Sequence, residues 1–163
     1  MNYHKALSET DPKIMKLMER DSRGEIGALA KFSDFYAVFS SDVVERNITK
    51  LYAPNAYFRD PIRDVQGIDN IRIYFLHTTK TFHECRFDIQ DIVNESGEYY
   101  FRWMMHLKTK RKPKEEILIP GMSHVRFDSE GMIIFHNDYW DINIIFERFP
   151  LIGPVLRWIK SRI

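Results

Sequence analysis

The sequence predicts an α+β fold: a cone-shaped, strongly bent antiparallel sheet wrapped around N-terminal helices, with an internal pocket. Three observations carry this. Apolar residues recur at helical spacing in the first half, through Ile26, Leu29, Phe32, Tyr36 and Phe39. The second half reads as long alternating strands divided by turn signals. The chain is also rich in aromatics, with 12 Phe and 8 Tyr, and such large side chains can wall a space. Helices followed by consecutive strands is the α+β order. A bent sheet with helices on its concave face makes a cone whose interior need not fill.

The elements follow in order. Thr10-Asp11-Pro12 reads as a helix start, a capping side chain followed by proline in the first turn, and Gly24 ends that polar helix. Gly24–Ser40 is the first amphipathic helix. Ser41-Asp42 caps a second, Val43–Tyr52, which carries Val44, Ile48 and Leu51 on one face. Ala56–Asp60 is a short strand stopped by Pro61. Ile68–Phe82 is a third helix, marked by Ile71, Tyr74, Phe75 and Thr78. Strands are expected at Glu84–Asn94, Tyr99–Thr109 and Glu116–Phe127. The last, Gly131–Asp141, is entered through the hairpin turn Asp128-Ser129-Glu130-Gly131. Residues 1–23 form a polar extension and 24–142 the body. The apolar, basic tail 143–163 is broken by Pro150, Gly153 and Pro154 and is expected to pack on the domain over the pocket mouth or in a dimer, ahead of lying on a membrane surface.

Composition narrows the function. The 163 residues make one domain of ordinary size. A net charge of +1 argues against nucleic-acid binding by the whole domain. Cys85 is the single cysteine, so no internal disulfide forms and a reducing compartment is expected. The opening MNYHKALSETDPK has no apolar core of a signal peptide, and no run reaches the ~18 apolar residues of a membrane span. The expectation is a soluble, cytoplasmic protein. Alternation splits His83, Glu84 and Cys85 across two faces, which removes the nearest candidate metal cluster. Phosphate-loop, dinucleotide and nucleophile-elbow patterns are absent. KTKRKPK, Lys108–Lys114, holds five basic residues of seven and reads as a solvated hairpin that resists edge pairing.

Two motifs carry chemistry. In HNDYWD, strand alternation puts His136, Asp138 and Trp140 on one face, with Asn137, Tyr139 and Asp141 on the other. An imidazole, an acid and an indole on a concave face can orient a small ligand or move a proton. The same residues also suit strand-end packing, with Asp138 bonded to backbone N–H groups and His136 a satisfied core histidine. In YFRDP, Tyr57–Pro61, the proline holds Asp60 extended and fixes the direction of its carboxylate. Half buried among Tyr and Phe, that carboxyl would titrate high, as a general base requires. A turn-capping aspartate fits the same motif.

LYAPNAYFRDPI, HVRFDSEG and HNDYWD, in this order after two helices, resemble the nuclear transport factor 2-like superfamily, which includes ketosteroid isomerase and the SnoaL-like polyketide cyclases. The resemblance covers Gly24 to about Ile142. PLIGPVLRWIKSRI after it looks like a bacterial SnoaL-like branch. The resemblance implies the cone, and it implies roles. Asp60 matches the general-base aspartate of ketosteroid isomerase and Tyr36 its oxyanion-hole tyrosine. Ser123 stands where that enzyme has a protonated aspartate. This is a departure, because serine is a weaker donor, and it turns the expectation away from steroid isomerisation. The cyclases use an acid on the last strand, and Asp138, beside His136, matches it. A homodimer through the outer sheet face, with Arg86, Arg102 and Tyr139, follows the family habit.

The expectation is an isomerase, cyclase or dehydratase acting on a hydrophobic carbonyl compound, without metal or organic cofactor. Asp60 removes the proton, Tyr36 and His136 stabilise or reprotonate the enolate, and Asp138 orients His136, ionised against it, or acts as a second acid. Trp140, Trp103 and Phe101 wall the cavity, with Ser123 and Tyr57 also against the substrate. A non-catalytic binding or assembly module of the same fold is the alternative.

Overall fold

The computed structural model describes residues 2–149 and 152–162. Helices α1 (Tyr3–Glu9), α2 (Arg23–Ala37) and α3 (Ser41–Leu51) come first. Strands β1 (Tyr52–Arg59) and β2 (Asp64–Gln66) follow, then α4 (Ile68–Thr81). β3 (Phe82–Glu95), β4 (Glu98–Thr109), β5 (Lys112–Phe127) and β6 (Ile133–Trp140) run consecutively before the short α5 (Asn143–Phe146) and α6 (Ile152–Lys160). The six strands form one sheet in the order β2-β1-β6-β5-β4-β3. Neighbours from β3 to β6 pair antiparallel, as alternation and the tight turns predict. β1 departs from the expected pattern: it pairs parallel to β6, with Phe58 opposite His136. The short strand β2, which the sequence reading lacked, closes β1's other edge. Register shifts in β1, β3 and β5 bend the sheet, because an unpaired residue sharpens local twist.

The concave face holds the core. Phe101, Trp103, Met105 and Leu107 alternate inward along β4, with Ile117, Ile119 and Val125 on β5, and all are buried. α2 lies across them, and Phe32 stacks on Phe101 at 3.9 Å between ring centroids. The start of α2 is tied down by Ser22 and Glu25. Ser22 Oγ accepts from Glu25 N at 3.1 Å, the bond of an N-cap serine. Glu25, itself buried, accepts from Asp21 N, Asn94 Nδ2 and the Tyr99 hydroxyl.

The N-terminal helix is not where Thr10-Asp11-Pro12 put it. α1 starts at Tyr3, capped by Asn2, and Thr10 ends it. The Thr10 hydroxyl donates to Ala6 O and accepts from Arg126 Nη1, so it is spent on α1's C-terminus. α1 packs on the convex face, with Ala6 buried against Tyr57 and Phe135. Arg126 clamps it there, donating to Leu7 O at 2.6 Å and paired with Glu98. α3 is capped by Ser40 rather than by Ser41-Asp42. The expected break at Pro150 lies outside the described residues. Among those residues no helix is long and apolar enough to cross a membrane.

Candidate active site: two carboxylates in an aromatic cavity

The concave side opens into a cavity of about 500 Å³, within the size range of small-molecule sites. Strand phase and helix position decide what enters it. Asp60 follows β1, two residues beyond the inward-facing Phe58. Asp138 and Trp140 project from the end of β6, and Tyr36 comes from α2. All four line the cavity with Tyr74, Cys85 and a wall of phenylalanines, Phe39, Phe58, Phe75 and Phe87.

Asp60 is held at both oxygens. Its Oδ1 accepts from the backbone N–H groups of Ile62 and Arg63, each at 2.8 Å. Its Oδ2 accepts from the Tyr74 hydroxyl at 2.6 Å. Burial pushes the carboxyl up from its ordinary value. The Tyr74, Arg63 and Ile62 bonds pull part of that back, and the nearby charge of Asp138 adds to the rise. Burial also pushes the Cys85 thiol up to about 12, so it stays protonated and is no nucleophile at neutral pH.

Asp138 starts a buried hydrogen-bonded chain. Its Oδ1 accepts from Ser123 Oγ at 2.5 Å and lies 2.7 Å from His136 Nε2. Trp103 Nε1 donates to Ser123 Oγ at 2.9 Å. On the other side of the ring, His136 Nδ1 is 2.6 Å from the Tyr52 hydroxyl. The Tyr52 and Tyr36 hydroxyls are 2.6 Å apart. The chain therefore leaves the cavity at Asp138 and returns to it at Tyr36. Burial pushes both phenols well above their ordinary value, so both stay neutral.

The direction of those bonds follows from the donor count. With one proton on His136, at Nε2, Tyr52 donates to Nδ1 and Tyr36 donates to Tyr52. Tyr36 then shows the cavity only lone pairs. A second proton, on Nδ1, reverses every link: Nδ1 donates to Tyr52, Tyr52 to Tyr36, and Tyr36 donates into the cavity.

The structure thus brings Asp60, Asp138, Tyr36 and Trp140 to one cavity. His136, wholly buried, stands behind Asp138 and does not line the cavity. Four expected contact residues do not line the cavity. Phe101 is covered by Phe32, and Trp103 and Ser123 lie beneath Asp138 as supports. Tyr57 points the other way, stacked on Phe135 under α1, because its phase in β1 is opposite to that of Phe58 and Asp60. Tyr52 and Tyr74 were missed. Tyr52 reads as the last residue of a helix and Tyr74 as one more residue on a helical stripe; no local signal marks either as a partner of residues 84 and 14 positions away.

The model of the SnoaL-like domain matches residues 32–136, more than half the chain. The chain belongs to the SnoaL-like domain family. Solved structures share this fold at low identity. A candidate SnoaL-like polyketide cyclase from Jannaschia sp. CCS1 superposes with a TM-score of 0.64 at 10% identity, over 83% of this chain and 97% of that one. Another, from Shewanella putrefaciens CN-32, gives 0.61 at 19%, over 77% and 95%. A protein with a ketosteroid isomerase-like fold from Catenulispora acidiphila, in complex with trimethylamine, gives 0.63 at 12%, over 73% and 88%. No curated protein matches the sequence. The SnoaL-like portion holds every residue of the chain from Tyr36 to His136; Asp138 and Trp140 lie just beyond it.

Proposed function

We propose that this SnoaL-like protein is a small-molecule enzyme of the isomerase, cyclase or dehydratase kind, moving a proton next to the carbonyl of a hydrophobic substrate. The observation that carries this is the meeting of Asp60, Asp138 and Tyr36 in one apolar cavity. The Asp60 carboxylate takes the proton from the carbon beside the carbonyl. The C–H electron pair shifts into the new C=C bond, and the carbonyl π pair moves to oxygen as an enolate. A Tyr36 hydroxyl turned towards the cavity donates to that oxygen, and the proton returns to carbon from Asp60 or through the chain that ends at Tyr36. The aromatic walls exclude water and keep the Asp60 carboxyl basic enough to take the proton.

A second reading has its own support. The three hydrogen bonds on Asp60 are also those of a carboxylate that caps a turn. On that reading the protein binds a hydrophobic ligand without turning it over. Deuterium exchange separates the two. The purified protein is incubated in heavy water with a panel of hydrophobic ketones and 1,3-dicarbonyl compounds. Label entering the position beside the carbonyl supports the enzyme, whereas binding with no exchange across the panel supports the binding module.

We infer a cytoplasmic homodimer, joined through the part of the outer sheet face that α1 leaves open. Arg86 and Arg102 lie on β3 and β4 there, and Leu118 and Met122 expose apolar side chains on β5. Tyr139, by contrast, sits beside Tyr3 of α1. Light scattering should return twice the mass of one chain at micromolar concentration, and Leu118→Glu should return a monomer. A wild-type monomer at high micromolar concentration would contradict the assembly.

A further inference from the structure

α6 is tied to the preceding segment through its polar side, with Arg157 and Lys160 still exposed and Leu156 half-buried. Gly153 is buried, and a side chain there would meet the Glu147 carbonyl at 2.1 Å. One and two turns on, Arg157 Nη1 donates to the same carbonyl at 2.9 Å, and Lys160 Nζ to the Glu147 carboxylate at 2.5 Å. The opposite side carries Ile152, Val155, Trp158 and Ile159, all between 43% and 59% exposed. Phe149, just before the helix, is 48% exposed. A globular helix normally turns this stripe to the core. Here the fold spends its hydrogen bonds to keep it outside.

Basic side chains frame the stripe. Arg162 lies over the Trp158 ring at 5.0 Å. Arg148 reaches the β4–β5 hairpin: the Glu115 carboxyl is held below the usual carboxylate range by its hydrogen bond from Lys112, and Arg148 adds to the pull. Lys110, Arg111, Lys112 and Lys114 at that hairpin tip are exposed. The nearby acids Glu115 and Glu147 are each paired to a lysine.

We propose that α6 and the basic hairpin form a docking face for an anionic lipid bilayer, with the apolar stripe seated at the headgroup boundary. Apolar residues flanked by Arg and Lys, with a tryptophan among them, are the composition of interfacial helices. α6 lies on the bilayer; it is far too short to span it. A second copy of the chain fits less well. It would bring two basic tails together, and one exposed face of a nine-residue helix falls short of the ~800 Å² per partner of a stable interface. α5 joins this face to the cavity wall through Ile145, so docking sets the cavity beside the bilayer.

The test is co-sedimentation of the full chain with phosphatidylcholine vesicles, pure and with about one quarter phosphatidylglycerol. The protein should pellet with the anionic vesicles and be released by salt. Val155→Asp with Ile159→Asp should lower the partition coefficient at least ~10-fold, with the circular dichroism spectrum unchanged. Arg111→Glu with Arg162→Glu should weaken binding and flatten its salt dependence. Three outcomes would overturn the proposal: no binding to anionic vesicles, binding that ignores the α6 substitutions, or a lipid-indifferent dimer that Val155→Asp dissociates.

Discussion

Asp60→Asn should lower deuterium exchange into a bound carbonyl compound by about 10²–10⁴-fold, the usual contribution of a positioned general base. The fold should survive. Asparagine keeps an oxygen for the Ile62 and Arg63 N–H groups, and its amide can donate to the Tyr74 hydroxyl oxygen. The change should also alter how stability depends on pH. Burial raises the Asp60 carboxyl in the folded chain relative to the unfolded one. The stability tied to that group is therefore whole below the unfolded value. It falls as the pH rises from there through the folded value, because the unfolded chain releases its proton first. Asp60→Asn has no proton to release, so denaturant midpoints of the variant should gain on the wild type across that window and stay ahead at neutral pH. Exchange in the wild type should rise with pH over the same window. A variant that exchanges at the wild-type rate removes Asp60 from the chemistry.

Gly121→Ala should cost about 3 kcal/mol or more, the upper end of an overpacked core, which for a chain of this size lowers Tm by roughly 6–12 °C. Gly121 pairs with Trp103 on one side and Trp140 on the other. The missing side chain is what lets the Trp103 ring lie across β5: a Cβ there would stand 2.1 Å from Cη2 and 2.4 Å from Cζ3. Trp103 is 2% exposed and edge-on to Phe87, so the ring has nowhere to retreat. Moving it also pulls Nε1 from Ser123, whose hydroxyl holds Asp138. The substitution should therefore disturb the cavity as well as the core. A thermal melt of the double variant with Trp103→Leu decides the cause: recovery of part of the loss assigns it to the ring, and strict additivity assigns it elsewhere.

The sequence shows the site along strands better than across them. A period of two leaves no freedom within β6, so HNDYWD alone places His136, Asp138 and Trp140 on the inner face. Asp-Pro fixes Asp60 in the same local way. Which inward residues reach the cavity and which lie under others depends on what packs above them, and that is set by distant elements. Phe101, Trp103 and Ser123 have the inward phase but are covered by Phe32 or by one another. Tyr57 differs: the pairing is regular from Tyr57 onward, and alternation alone puts it on the face opposite Asp60. Tyr52 and Tyr74 join the site only when β1 pairs with β6 and α4 folds back over Asp60, long-range events with no signature in their own segments. The start of α1 was misread because Thr10-Asp11-Pro12 carries a good capping pattern, yet Asn2 caps a helix that Arg126 and Phe135 can hold.

The proposed chemistry requires the cavity to keep Asp60 above the ordinary carboxylate range so that it can carry a proton. Carbon-13 NMR of aspartate-labelled protein, with Asp60 assigned by the Asp60→Asn spectrum, measures this directly. The account predicts that the Asp60 carboxyl titrates clearly above the usual range. Titration near ~4, as for a solvated aspartate, would contradict it and leave Asp60 as the cap of a surface turn.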